Sequence, residues 1–352
     1  MDQMWPQAGV DYPGTWPAFE AWFGDEESCV EFLAQVRWPG GFCCPVCESI
    51  DWWRTKRGLW MCRDCGRQTS VTAGTIFHRS RYPLRTWFTA MWFVCSQKNG
   101  VSALGLQRVL GFGSYETAWA WLHKLRRAMV RPDRELLGGH DIVVEMDATF
   151  IGGRTQGNHG PRYHNKTEVV IAVERIGARR LGRVRLRQID KTNRKDELLT
   201  FTEDVIAPGT ILRTDGETSY PDIVRRLHLR HDPVIVYSSS EPAHDLLPGV
   251  HQVASLIKRW LTGTLHDGQA ETHLAYYLDE YTFRFNRRTS RSRGMLWYRL
   301  VQQAANTDPH PLDTLKSHST STTGAKQRPS TCVRYYIVVV PFGAFPCCLT
   351  IS

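Results

Sequence analysis

Two cysteine pairs constrain this chain more than any other feature. Cys44-x-x-Cys47 and Cys62-x-x-Cys65 are separated by 14 residues, and each pair can offer two thiolates from one tight knuckle to a tetrahedral zinc. Four thiolates fill the coordination shell, which leaves no open position for water and makes such a zinc structural, not catalytic. Pro45 and Gly66 suit the knuckle turns, and Trp52, Trp53 and Trp60 can pack around a module too small to build a core of its own. Metal binding then contributes directly to folding. Cys43 lies next to Cys44 but does not give the two-residue gap. The spacing predicts a zinc ribbon over residues 42–70.

The rest of the chain is long enough for two or three folding units. Its 352 residues are 42% apolar and 11% aromatic, a globular composition that excludes disorder of the whole. The first residues, Met1-Asp2-Gln3-Met4-Trp5-Pro6, lack the basic and apolar stretches of a secretory signal, so a cytoplasmic protein is expected. Ten cysteines in a reducing compartment argue against a disulfide framework. No apolar run reaches the ~20 residues that span a bilayer; the nearest, Tyr335 to Cys348, is broken by Pro341, Gly343 and Pro346. A membrane partner is therefore not expected. Forty-four Lys and Arg against 35 Asp and Glu leave a formal charge of +9, which favours an anionic partner such as nucleic acid.

The texture of the sequence changes along its length and predicts a multidomain chain. Residues 12–41 form an N-terminal helical segment, with Asp25 as an N-cap, Glu26 and Glu27 in the first turn, and Pro39-Gly40-Gly41 as its end. After the ribbon, residues 71–137 are helical: apolar residues recur at helical spacing from Pro83 to about Arg131, with breaks at Gly100 and Gly111-Phe112-Gly113. Ser102–Leu110 and Tyr115–Met129 make a helix-turn-helix-like pair, with Ser114 as N-cap of the second helix. His123, Lys124, Arg126, Arg127 and Arg131 give that helix a basic end. It reads either as a recognition helix in a major groove or as an ordinary hairpin with Trp119, Leu122 and Leu125 in a core.

From residue 138 to 306 the pattern is that of an α/β domain with a mixed sheet. Strands are expected at 142–150, 168–173, 184–189, 210–214 and 234–237. Helices are expected at 196–205, 219–227 and 251–260, and again through 272–306. Residues 307–352 form an atypical tail, whose Ser-, Thr- and Gly-rich part from 317 to 331 reads as a disordered linker.

Acidic residues gather in this domain. Asp147 lies in its first strand, with Glu145 two residues earlier on the same face, and Asp215 follows a strand in Arg213-Thr214-Asp215-Gly216. Either aspartate alone fits a strand-end acid capping a turn. Together they suit phosphodiester chemistry, which commonly uses two divalent metals held by carboxylates from separate elements. Separated from Asp215 by thirty-five residues, His251 begins a helix, and Lys258, seven positions on, falls on the same helical face within reach of a phosphate. Arg284, Arg287, Arg288, Arg291 and Arg293 form a basic run at a helix end, read as phosphate contacts or as a solvated face. His266, Asp267 and His273 fit no common metal spacing and are read as surface residues.

These stretches resemble the ISXO-like transposases, zinc-ribbon members of the DDE superfamily found in bacterial insertion sequences. The resemblance rests on Arg37-Trp38-Pro39-Gly40-Gly41-Phe42, both cysteine pairs, Ala73-Gly74-Thr75-Ile76-Phe77, Val144-Glu145-Met146-Asp147 with Ile151-Gly152-Gly153, Thr214-Asp215-Gly216, Lys258-Arg259-Trp260 with Gly263-Thr264, Tyr277-Leu278-Asp279-Glu280, and Phe283-Arg284-Phe285-Asn286-Arg287-Arg288. It runs in order from residue 12 to about 305.

The resemblance implies an RNase H-like catalytic fold and an enzyme, a DDE-type polynucleotidyl transferase that cleaves and joins double-stranded DNA. It implies recognition of terminal inverted repeats, a magnesium or manganese requirement beside the structural zinc, action as a homo-oligomer on DNA in the nucleoid, and no small-molecule substrate. Asp147 and Asp215 take the first two catalytic and metal-binding positions, His251 the third, and Lys258 the DNA-contacting one. Lys124, Arg126, Arg127, Arg259, Arg284, Arg287 and Arg288 are the further expected DNA contacts. Histidine at the third position departs from the acid or Asn of many relatives and brings a manganese preference or a general-base role into view. Other outcomes of that departure are an inactive copy or replacement by Glu241 or Asp245. Ala148 also stands where an acid is expected. The alternatives are a DNA-binding regulator that has lost chemistry and a simple nuclease of the same fold.

Overall fold

The computed structural model describes residues 6–130, 134–152, 166–177, 180–234, 246–265, 273–290 and 292–316. Before the ribbon come α1 (Trp16–Trp22) and α2 (Glu26–Arg37). Asp25 caps α2 as expected, its carboxylate accepting the Ser28 N–H at 2.8 Å. The ribbon is an antiparallel meander of β1 (Trp52–Arg54), β2 (Trp60–Cys62) and β3 (Gln68–Thr69). Short strands suffice here because the cysteine knuckles tie their ends.

Next come α3 (Leu84–Ser96), α4 (Ala103–Leu110) and α5 (Tyr115–Ala128). Gly111 ends α4 in the left-handed conformation at φ 66°, and Ser114 caps α5 by accepting the Glu116 N–H at 3.1 Å. Trp87 of α3 stacks on Trp121 of α5 with ring centroids 3.5 Å apart, which locks this pair of helices together.

The second unit is built on β4 (Val143–Ile151), β5 (Thr167–Ile176), β6 (Arg180–Ile189), β7 (Ile211–Thr214) and β8 (Arg230–Pro233), in the order β6-β5-β4-β7-β8. The β4, β5 and β6 pairings are antiparallel, whereas β4 with β7 and β7 with β8 are parallel. This five-strand mixed sheet is of the RNase H type. Helices α6 (Arg194–Val205) and α7 (Tyr220–Arg226) cover one face, and α8 (Pro248–Leu265) and α9 (Leu274–Asn286) the other. The pleat sorts the residues: Val144 and Met146 pack with Phe201 and Ile223, while Ile151, Ile171 and Val173 pack with Val253, Ile257 and Tyr281. β5 is buried on both faces, which explains the unbroken Val169-Val170-Ile171-Ala172-Val173.

Two expectations about this region are corrected. Among the described residues the last strand is Arg230–Pro233, ahead of the expected 234–237: it pairs from Ile211↔Arg230 to Thr214↔Pro233, and the Val234 N–H donates to the Thr214 carbonyl at 2.8 Å. An edge strand tolerates polar residues, so Arg230–Pro233 carries no apolar alternation to announce it; residues 235–237 of the expected strand lie outside the described ones. The second correction is the domain limit at 306. The helix α10 (Arg293–Ala305), followed by α11 (Leu312–Lys316), belongs with the N-terminal helices. Trp297 of α10 is fully buried among the rings of Phe19, Phe23, Phe32, Phe88 and Trp92, and its indole N–H donates to the Phe88 carbonyl at 3.1 Å. Periodicity reveals that a helix has an apolar face but not which unit that face meets.

The expected linker at 317–331 lies outside the described residues. Among the described residues, no helix is long and apolar enough to cross a membrane.

Candidate metal and nucleic-acid sites

In the ribbon, the four sulfurs of Cys44, Cys47, Cys62 and Cys65 all lie within 4.8 Å of one another. Cys44 Sγ is 3.6 Å from Cys65 Sγ, and Cys47 Sγ is 3.5 Å from Cys62 Sγ. Sulfurs about 2.3 Å from a common tetrahedral centre stand ~3.8 Å apart, so this cluster fits a zinc ion. Backbone turns create the fit: Gly66 at φ 69° and Glu48 at φ 59° each close a knuckle in the left-handed region.

In the sheet unit, β4 and β7 run parallel with Glu145 opposite Arg213. Asp147 is two residues further along β4, and Asp215 follows Thr214, the last residue of β7. The two carboxylates therefore meet at the same end of adjacent strands. Burial, reinforced by the Asp215 charge, pushes the Asp147 carboxyl up to about 7 against the hydrogen bond from the Ala148 N–H. A half-buried pair of acids with this repulsion is a setting for divalent cations, which replace the proton.

Three further residues belong to this neighbourhood, and sequence reasoning missed them. Arg194, at the start of α6, donates to Glu168 at 2.7 Å and pairs with Glu217. Burial opposes the Arg194 charge, but the hydrogen bonds and charges of Glu217 and Glu168 outweigh it and raise its pKa. Glu217 adds its negative charge to Asp147, and its N–H donates to Asp215 Oδ1 at 3.2 Å. Tyr220 is buried beside the cluster, where burial and the charges of Asp147, Asp215 and Glu217 raise its phenol well above the usual range. Glu217 had a signal, since Asp215-Gly216-Glu217 is a tight turn with Gly216 at φ 79°. Arg194 comes from a distant element and carried none, and Tyr220, five residues after Asp215, carries no acid or ligand signature of its own.

His251 lies in the first turn of α8, which starts three residues earlier than expected. It is half-buried, and its N–H donates to the Leu247 carbonyl at 3.2 Å. α8 packs on the sheet face that carries Asp147, because Val250, Val253 and Ile257 meet Ile151, Ile171 and Val173 there. Lys258 is exposed two turns on, and burial of its stem with the nearby Lys166 charge pushes its amine down. Lys166 adjoins the start of β5, opposite the end of β4, so Lys258 stands toward the strand end that carries the aspartates. Arg259 is exposed beside it. Glu241, Asp245, His266, Asp267 and Arg291 lie outside the described residues.

Several expected DNA contacts are otherwise engaged. Arg126 is only 3% exposed, and burial pushes the Lys124 amine down, so the basic end of α5 is largely covered. Arg127 is partly exposed, and the open part of α5 is its N-terminal turn, at Tyr115 and Glu116. Arg284 forms a buried ion pair with Glu280 at 2.7 Å. Arg287 lies over the Phe283 ring at 4.2 Å. Arg288 lies over Phe285 at 4.0 Å and donates to the carbonyls of Leu181 and Gly182 on β6. Arg287 and Arg288 share a physical reason: guanidinium groups beside a helix end satisfy local carbonyls and aromatic faces first.

Comparison with known proteins agrees with the two halves of this description. Residues 136–286 match the ISXO2-like transposase domain, and residues 24–68 match the transposase zinc-ribbon domain. The chain is 23% identical over 299 residues to an uncharacterized protein in transposable element ISH50 of Halobacterium salinarum, covering 74% of this chain and 91% of that protein. A simian T-cell lymphotropic virus intasome structure, in complex with PP2A regulatory subunit B56 gamma, aligns at 15% identity over 55% of this chain and 64% of that one. Its TM-score of 0.28 is too low to carry an argument. A transposase zinc-ribbon domain over residues 24–68 is thus followed by an ISXO2-like transposase domain over residues 136–286, whose sheet of the RNase H type bears the paired aspartates.

Proposed function

We propose that this protein binds the terminal inverted repeats of an insertion sequence and catalyses metal-dependent cleavage and transfer of DNA strands. The observation that carries the reading is the juxtaposition of Asp147 and Asp215 at one end of two parallel strands, with Asp147 raised to about 7 by burial and by its partner. These two carboxylates would hold magnesium or manganese, with His251 as a third ligand from α8. Bound divalent ions supply activation of the attacking oxygen and stabilisation of the leaving one. Lys258 and Arg259, exposed on α8, would hold DNA phosphates. The ribbon zinc has a separate, folding role.

The test uses purified protein with labelled element ends and either metal. Asp147→Ala and Asp215→Ala should each abolish cutting while leaving DNA binding intact. Binding without cutting in the unaltered protein would instead identify a regulator, and hydrolysed ends without joined product a nuclease.

A further inference from the structure

The buried residue Glu145 is not part of the paired-acid cluster, although it shares a strand face with Asp147. Its side chain is fully buried and turns toward the start of α8. One oxygen, Oε2, accepts the Gly249 N–H at 2.6 Å and the Val250 N–H at 3.0 Å. The other oxygen lies 3.2 Å from Nε of Arg175 on β5. The first N–H groups of a helix have no partners inside it, and a carboxylate there satisfies both their hydrogen bonding and the positive end of the helix dipole. Here the cap comes from a strand 104 residues away in sequence, not from the residue before the helix.

Gly249 shows how tightly the contact is built. A Cβ on this residue would lie 2.7 Å from Glu145 Oε2, 3.1 Å from Leu181 and 3.2 Å from Arg175. Only a glycine lets the helix backbone come this close to the carboxylate. His251 is two residues beyond Gly249, and Asp147 is two residues beyond Glu145. One carboxylate thus ties the strand that carries Asp147 to the helix that carries His251 and Lys258.

We propose that Glu145 is a positioning residue: its capping of Gly249 and Val250, braced by Arg175, sets the height and rotation of α8 so that His251 faces the Asp147–Asp215 site. This rests on the metal-site reading above. Groups that orient ligands without touching the metal typically change metal affinity by ~10–100-fold when removed.

The experiment measures manganese affinity by paramagnetic resonance and amide hydrogen exchange over residues 246–256, in the full chain with its ribbon zinc retained. Glu145→Gln keeps an acceptor, so exchange and manganese affinity should stay within about threefold of the unaltered protein. Glu145→Ala should speed exchange at Gly249 and Val250 about tenfold, the scale of a lost N-cap, and weaken manganese binding about tenfold. Adding His251→Ala to Glu145→Ala should then cost little more, because the histidine is already displaced. If Glu145→Ala fails to fold, Gly249→Ala displaces the same contact and should give the same pattern. Unchanged exchange would remove the cap, and fully additive losses from the two substitutions would reduce Glu145 to a structural cap. Manganese binding that Asp147→Ala leaves untouched would instead overturn the metal site, and the positioning role with it.

Discussion

Asp147, in the middle of the central strand, stands level with Asp215, which follows the last residue of the parallel neighbour, so two half-buried carboxylates from different stretches of chain sit side by side. Burial and this neighbour raise Asp147 from an ordinary 3.8 to about 7. The folded protein therefore holds a proton that the unfolded chain releases near pH 4. The resulting stability is full below that range and is lost as pH rises through about 7. Without magnesium or manganese, but with ribbon zinc kept, the protein should lose on the order of a few kcal/mol between pH 5 and 8. Asp147→Asn should flatten this slope, and magnesium should restore stability at pH 8. Thermal melts across that range check both.

The ribbon should depend wholly on its metal. Cys44→Ser or Cys62→Ser should release zinc and unfold residues 42–70, since metal binding and folding are coupled there. Zinc stoichiometry and proteolysis report on this, and full zinc retention by the Cys62→Ser protein would remove the ligand assignment.

Much of this was legible in the sequence, for identifiable reasons. The cysteine pairs, the caps at Asp25 and Ser114, and the strand carrying Asp147 are local signals, and the structure forms each of them. What the sequence did not disclose depends on partners far along the chain. Trp297 finds its aromatic pocket near residues 19 to 92, Arg194 reaches Glu217, and Glu145 caps a helix that begins at Pro248. Arginines were likewise read as surface charge because sequence cannot show that Arg126 is buried or that Arg284 faces Glu280.

Basic residues should accordingly divide into two classes. Arg284→Ala removes the ion pair to Glu280, which is only 2% exposed, and should lower stability by about 1–3 kcal/mol. Lys258→Ala with Arg259→Ala should leave stability nearly unchanged but reduce the salt slope of binding to element ends by about two. An unchanged slope would remove these two residues from the DNA contacts. Denaturant melts and binding isotherms at several salt concentrations separate the classes.

At the third position, imidazole brings a ring nitrogen but no negative charge, so manganese should support the reaction better than magnesium. His251→Ala should lose most strand transfer in either metal, whereas His251→Glu should retain activity and shift the preference toward magnesium. Rates for His251→Ala equal to the unaltered protein in both metals would assign the histidine to the helix end alone.

The most direct measurement incubates the purified protein with labelled element ends and a target duplex in magnesium or manganese and resolves the products by length. Cleaved ends and joined strands are expected, and both should disappear with Asp147→Ala or Asp215→Ala while DNA binding remains. Joined products that persist in either variant would contradict it.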